Sequence, residues 1–184
     1  MPFAPRRVRG ITLIELLMTL AVIAILLAAA APAFGNLIQG GHAQSSRSAL
    51  VTALNTARIF AVSKTANVVV CPSPDQQYCG HTTEWQHGWL VFLDSDRDGA
   101  RGDDEELINV AGVQPDGVAI RSTAGRVRVS YRPDGSSAGS NVSLTVCDHR
   151  GAGEATSLVI NNAGRVRNGV PTTAAAAACV ASLE

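Results

Sequence analysis

The sequence has 184 residues, with 15 basic residues against 15 acidic ones. That length supports one globular domain beside an anchor, and the balanced charge excludes a nucleic-acid-binding role carried by bulk charge. Any such role has to rest on local clusters.

Residues 6–33 read RRVRGITLIELLMTLAVIAILLAAAAPA. Arg6, Arg7, Arg9 and Gly10 precede an apolar run from Ile11 to Ala31, interrupted by Glu15 and by the hydroxyls of Thr12 and Thr19. Its 21 residues suffice to span a bilayer core as a helix, which takes about 20. Positive charge ahead of the run keeps the N-terminus cytoplasmic and sends the rest across. A secretory signal peptide would carry its small-residue cleavage site after a shorter apolar core. Here Gly10 lies before the core, so cleavage there would leave the apolar segment on the mature chain. An acid inside a membrane helix costs roughly 2.5–3.5 kcal/mol, which marks Glu15 as functional rather than part of a plain anchor.

The string GITLIELLMTLAVIAILLAAAAP resembles the class III signal of type IV pilins and type II secretion pseudopilins. The shared pattern is a glycine, a hydrophobic residue, threonine, leucine, and glutamate at the fifth mature position. The resemblance implies that a prepilin peptidase cuts between Gly10 and Ile11 and methylates the new amine. It implies that Glu15 neutralises the N-terminal amine of a neighbouring subunit during assembly. Other major and minor pilins are the expected partners. The expected location is the bacterial inner membrane, single-pass with a periplasmic domain, then the pilus at the cell surface. Ile11 stands where the family usually has Phe. Loss of the leader with its three arginines leaves 12 basic residues against 15 acidic, a net charge of −3.

The four cysteines are Cys71, Cys79, Cys147 and Cys179. An even number beyond an export segment points to disulfides, and four cysteines allow three pairings. The pairs local in sequence, Cys71–Cys79 and Cys147–Cys179, are favoured. Loop entropy gives them roughly 2.6 and 3.7 kcal/mol if unstrained.

Beyond Pro32, Leu50, Ala53, Leu54, Ala57, Phe60 and Ala61 recur at helical spacing and form a core-facing stripe. A helix from Ile11 to about Lys64 would be roughly 80 Å long. Pro32 should kink it. Gly35, Gly40 and Gly41 should loosen a neck just past the anchor. After Lys64 the pattern changes to short β-type runs at 67–71, 88–94, 106–110, 118–121, 127–132, 142–147 and 157–161. No long helix separates them, which favours an antiparallel, sandwich-like domain over a βαβ fold. Residues 134–141 read as a flexible turn, and 171–178 as a low-complexity stretch.

Nearby cysteines, W-x-x-G-W-x-V-F-x-D from Trp85 to Asp94, an acidic turn, and a terminal G-R-x-R before the last cysteine together resemble the GspH/FimT family of minor pilins. The implied fold class is α+β: a type IV pilin fold whose long N-terminal helix packs on an antiparallel sheet or sandwich. The expected division is 1–10 leader, 11–33 assembly helix, 34–64 amphipathic continuation and 65–184 β domain. The four cysteines and Gly164-Arg165-Val166-Arg167 look more like the FimT branch, which serves type IV pili and DNA uptake. The GspH branch, which serves type II secretion, is the alternative.

Two local clusters could carry chemistry. Asp94, Asp96, Asp98, Gly99 and Glu105 fit the calcium-loop pattern D-x-D-x-D-G-x5-E. Strands rather than helices are expected on both sides, so a solvated hairpin loop without cofactor is the favoured reading over a calcium site. The second cluster is basic: from Arg121 onward there are seven arginines against four acids. Gly-Arg-Val-Arg occurs at 125–128 and again at 164–167. In extended chain, Arg126 and Arg128 would form one fork and Arg165 and Arg167 another. Guanidinium forks suit phosphate oxygens, and the glycine lets backbone approach a ligand. By family resemblance Gly164, Arg165 and Arg167 are the DNA-binding set, with Arg126 and Arg128 auxiliary. Double-stranded DNA, bound without sequence preference, is the expected partner, since no aromatic residues interleave for base stacking. A zinc site from Cys71, Cys79, His81 and His87 is disfavoured by the oxidising compartment. Asp148 and His149 lack a nucleophile elbow or triad, so no enzyme is expected. Trp85 and Trp89 read as core.

Overall fold

The computed structural model describes residues 10–183 apart from 138 and 140, and for Ala29 and Pro32 the backbone alone. Arg6, Arg7 and Arg9 of the expected leader lie outside the described residues, as do two positions of the 134–141 turn.

Helix α1 (Leu13–Lys64) starts where the Thr12 hydroxyl accepts the Glu15 amide at 3.3 Å, an N-terminal cap. It is unbroken at Pro32, Gly35, Gly40 and Gly41. The chain parts into two compact units between Ile38 and Gln39. The first is an apolar helix whose large side chains, Ile11 through Ile38, are exposed. It is long and apolar enough to cross a membrane.

The second unit joins the rest of α1 to eight strands. These are β1 (Asn67–Pro72), β2 (Trp89–Asp94), β3 (Leu107–Ala111), β4 (Val118–Ser122), β5 (Val129–Tyr131), β6 (Val142–Asp148), β7 (Thr156–Ile160) and β8 (Val166–Gly169). They form two four-stranded antiparallel sheets, in the orders β3-β2-β1-β5 and β4-β6-β7-β8. Alternation decides the faces. Val68, Val70, Val91, Val129 and Tyr131 of the first sheet share one core with Ile120, Leu144, Val146, Leu158 and Ile160 of the second. Leu50, Ala53, Leu54, Ala57 and Ala61 of α1 complete it, together with Trp85 and Trp89.

The opposite face of each sheet is pinned by a disulfide. Cys71–Cys79 joins Val69, Leu90 and Phe92 outside the first sheet. Cys147–Cys179 holds α2 (Thr173–Val180) against Ala119 outside the second. Both favoured pairings are therefore present. The stretch expected to be low-complexity is instead helical: the Thr172 hydroxyl caps it by accepting the Ala175 amide at 3.2 Å, and alanine has the highest helix propensity.

Two packing contacts join the second unit's stretch of α1 to its loops. The Arg150 guanidinium lies where a Cβ on Gly40 would stand, 2.9 Å away. Arg58 donates from Nε to the Gly135 carbonyl (3.0 Å) and from Nη2 to the Ala163 carbonyl (3.4 Å). Eighteen helical residues separate the two sites, about 27 Å at 1.5 Å each. Gly40 thus has a packing role beyond the expected loosening of a neck.

Candidate nucleic-acid interface

The 164–167 copy sits at the end of the domain marked by Arg58. Gly164 has φ +73°, and its amide donates to the Asn161 carbonyl at 2.8 Å, closing the β7–β8 turn. A Cβ there would collide with the Gly135 carbonyl oxygen. The close approach that requires glycine is therefore to this chain's own β5–β6 loop, where a ligand was expected. Ser137 adds a second tie, its amide donating to the Asn162 carbonyl at 2.9 Å.

From that turn the chain enters β8, an edge strand. Val166 turns inward against the core, opposite Ile160. Arg165 and Arg167 therefore take the outer face, and both are exposed. Among the described residues neither guanidinium makes a hydrogen bond or an ion pair; the Arg165 amide alone is bonded, to Asn161 Oδ1 at 3.3 Å. Both side chains of the expected fork are thus exposed, Arg165 just before β8 and Arg167 within it.

The 125–128 copy is arranged differently. Gly125 has φ +74° but open space around its Cβ position. The following residues are irregular, and β5 begins only at Val129. Arg126 donates to the Gly139 carbonyl at 2.8 Å and Arg128 to the Gly99 carbonyl at 3.1 Å. Both line one pocket with His81. Each side chain is tied to a different loop, so they share a pocket without acting as an open strand fork.

The acidic loop explains the Arg128 tie. Asp94, Asp96 and Asp98 bring carboxylate oxygens within 4.8 Å of one another. Asp94 is buried, and burial pushes its carboxyl up against the pull of the Gly99 amide. Glu105 turns both carboxylate oxygens to backbone, accepting the Ser95 amide at 2.6 Å and the Gly102 amide at 3.1 Å. A calcium ion would find three carboxylates but would have to detach Glu105 from two amides to gain the bidentate ligand such loops use. At the opposite end, Asp148 receives Arg150 through two bonds, 2.8 and 2.9 Å. Burial alone would push the Asp148 carboxyl up; the Arg150 bonds outweigh it and hold it below the usual carboxylate range.

A family model described as type II transport protein GspH matches residues 47–164. The chain belongs to the GspH family. A second model, the prokaryotic N-terminal methylation motif, matches residues 5–31. No curated protein matches the sequence. Among solved structures, the type IV minor pilin FimU of Pseudomonas aeruginosa strain PAO1 is similar in fold, with TM-score 0.56 and 16% identity over 71% of this chain and 89% of that one. A second crystal form of it gives TM-score 0.53 and 16% identity over 68% and 91%. The minor pseudopilin EpsH of the Vibrio cholerae type 2 secretion system gives TM-score 0.48 and 12% identity over 71% and 98%.

This GspH-family protein thus combines the family's domain with an N-terminal methylation motif, on a fold shared with a minor pilin. It has the N-terminal methylation motif, a helix long and apolar enough to cross a membrane, and a two-sheet domain beyond it. Sequence reasoning missed two elements of the site. Strand β8 was hidden because arginine and asparagine interrupt its alternation. Arg58 was invisible as a clamp, since its two carbonyl partners lie 77 and 105 residues away.

Proposed function

We propose that this protein is a FimT-like minor type IV pilin acting in pilus biogenesis and DNA uptake, and that Arg165 and Arg167 bind double-stranded DNA without sequence preference. The observation that supports this is the exposed pair of guanidinium groups, Arg165 just before edge strand β8 and Arg167 on it, without hydrogen-bond partners among the described residues. Their donors suit phosphate oxygens of any sequence. Arg126 and Arg128 are auxiliary, because each has one donor held by a carbonyl. Cleavage falls between Gly10 and Ile11, with methylation of the Ile11 amine. Glu15, in the first turn of α1, meets the amine of a neighbouring subunit. The protein resides in the inner membrane before assembly, catalyses no reaction and needs no cofactor. The acidic loop is held by Arg128 and its own amides.

The test is a gel shift with full-length protein in non-ionic detergent. The double variant R165Q/R167Q should lose the shift while its circular dichroism spectrum stays unchanged; an undiminished shift would sink the assignment. A second reading, a pseudopilin of type II secretion without DNA contact, is favoured by the description of the matching family model. Deleting the protein and measuring transformation against exoenzyme secretion separates the two.

A further inference from the structure

The outer face of the second sheet carries a groove of about 650 Å³ beside α2. Its floor follows from strand register. Arg121 on β4 lies across from Thr145 on β6, Thr145 from Ser157 on β7, and Ser157 from Gly169 on β8. The next row on the same face runs Ser143, Val159, Arg167.

Thr145 and Ser157 are only 3% and 2% exposed, yet neither hydroxyl has a hydrogen-bond partner among the described residues. Both residues line the groove. Arg121 reaches only the Ala178 carbonyl at 3.4 Å and the Thr83 hydroxyl at 3.5 Å. Glu84 stands opposite Arg121 in an isolated antiparallel bridge but turns its carboxylate to His87, so among the described residues Arg121 has no ion pair, and no acid lines the groove. A guanidinium beside hydroxyls that line the same groove suits an oxyanion, which accepts from all of them.

The same face leads to Arg167. Strand β8 is three strand spacings from β4, about 14 Å. That distance spans roughly four nucleotide steps at 3.4 Å along one strand. We propose that this groove seats a phosphodiester group of nucleic acid, with Arg121 as charged donor and Ser143, Thr145 and Ser157 as the floor. The nucleic acid then crosses the outer face of the sheet from β8 to β4. This rests on the reading of Arg165 and Arg167 as nucleic-acid contacts, and it adds a second, independent contact.

The test is fluorescence anisotropy of a short labelled DNA duplex against full-length protein in non-ionic detergent, over a salt series. R121Q should weaken binding and reduce the slope of log affinity against log salt by about 0.9, one phosphate contact. A174E places an acid on the exposed wall, in the first turn of α2 where the helix dipole tolerates it, and should weaken binding several-fold. A177E, exposed on α2 but off the groove, should bind as wild type. Unchanged affinity and slope in R121Q and A174E, with binding lost in R165Q/R167Q, overturns the groove and leaves the DNA reading standing. Binding retained in R165Q/R167Q but lost in R121Q and A174E overturns that reading and keeps the groove as the phosphate site. Binding retained in all of them overturns both.

Discussion

Gly-Arg-Val-Arg occurs twice in this chain, and the two copies meet opposite fates. At 125–128 the glycine stands in open space and the arginines are spent on the carbonyls of Gly139 and Gly99. At 164–167 the glycine is wedged against Gly135 and the arginine side chains are exposed, with no partner among the described residues. A motif's chemistry thus depends on which acceptors the fold brings within reach. The first copy lies beside loops with spare carbonyls. The second enters an edge strand, whose ladder occupies the backbone while outward side chains meet only solvent.

The contrast can be tested by substitution, and the largest effect should come from the staple on α2, the helix that follows the second copy in the chain. Replacing Cys147 and Cys179 by serine frees α2 from the outer face and should cost about 3.7 kcal/mol by loop entropy. Thermal denaturation followed by circular dichroism measures it; an unchanged midpoint would mean that α2 adds nothing to the fold. The glycines come next. G164A must displace the Gly135 carbonyl as well as adopt positive φ, and should cost about 3 kcal/mol. G125A meets only the backbone strain, about 1 kcal/mol. Equal losses would show that the wedge at Gly164 is not tight in solution. R58Q removes the clamp that joins the β5–β6 loop to the second copy's turn and should cost about 1.5 kcal/mol. It should leave the first copy's bonds intact, which proton exchange at the Arg126 and Arg128 guanidinium groups would report.

The smallest effects are in pH dependence, with opposite signs at the two ends of the domain. The Asp148 carboxyl is held low, so its stabilisation is fully present above the ordinary carboxylate range and is lost as pH falls through its lowered value. Asp94 is pushed up by burial beside the loop that engages Arg128, so its charge is a liability at neutral pH that protonation relieves. D94N should raise the denaturation midpoint at pH 7, with the gain fading as pH falls through the carboxylate range. D148N should lower the midpoint at pH 7 and lose its deficit in acid. If both variants shifted in the same direction at pH 7, the assigned causes would be wrong.

Much of this protein was legible locally. The apolar run with Glu15 fixed the anchor, because membrane length and charge order are properties of consecutive residues. Seven of the eight strands show as short runs with turns between them, and the paired cysteines lie close enough in sequence for the local pairing to be the favoured one. The helical stripe at Leu50, Ala53, Leu54, Ala57 and Ala61 likewise marked the core face before any partner was known. The tertiary structure alone decided which arginines are available. The carbonyl on Gly99 is 29 residues from Arg128, and the Gly135 carbonyl is 77 residues from Arg58. Backbone acceptors carry no mark in the side-chain sequence, so contacts to them cannot be read from composition or spacing. The difference between the two identical tetrapeptides resides in those contacts.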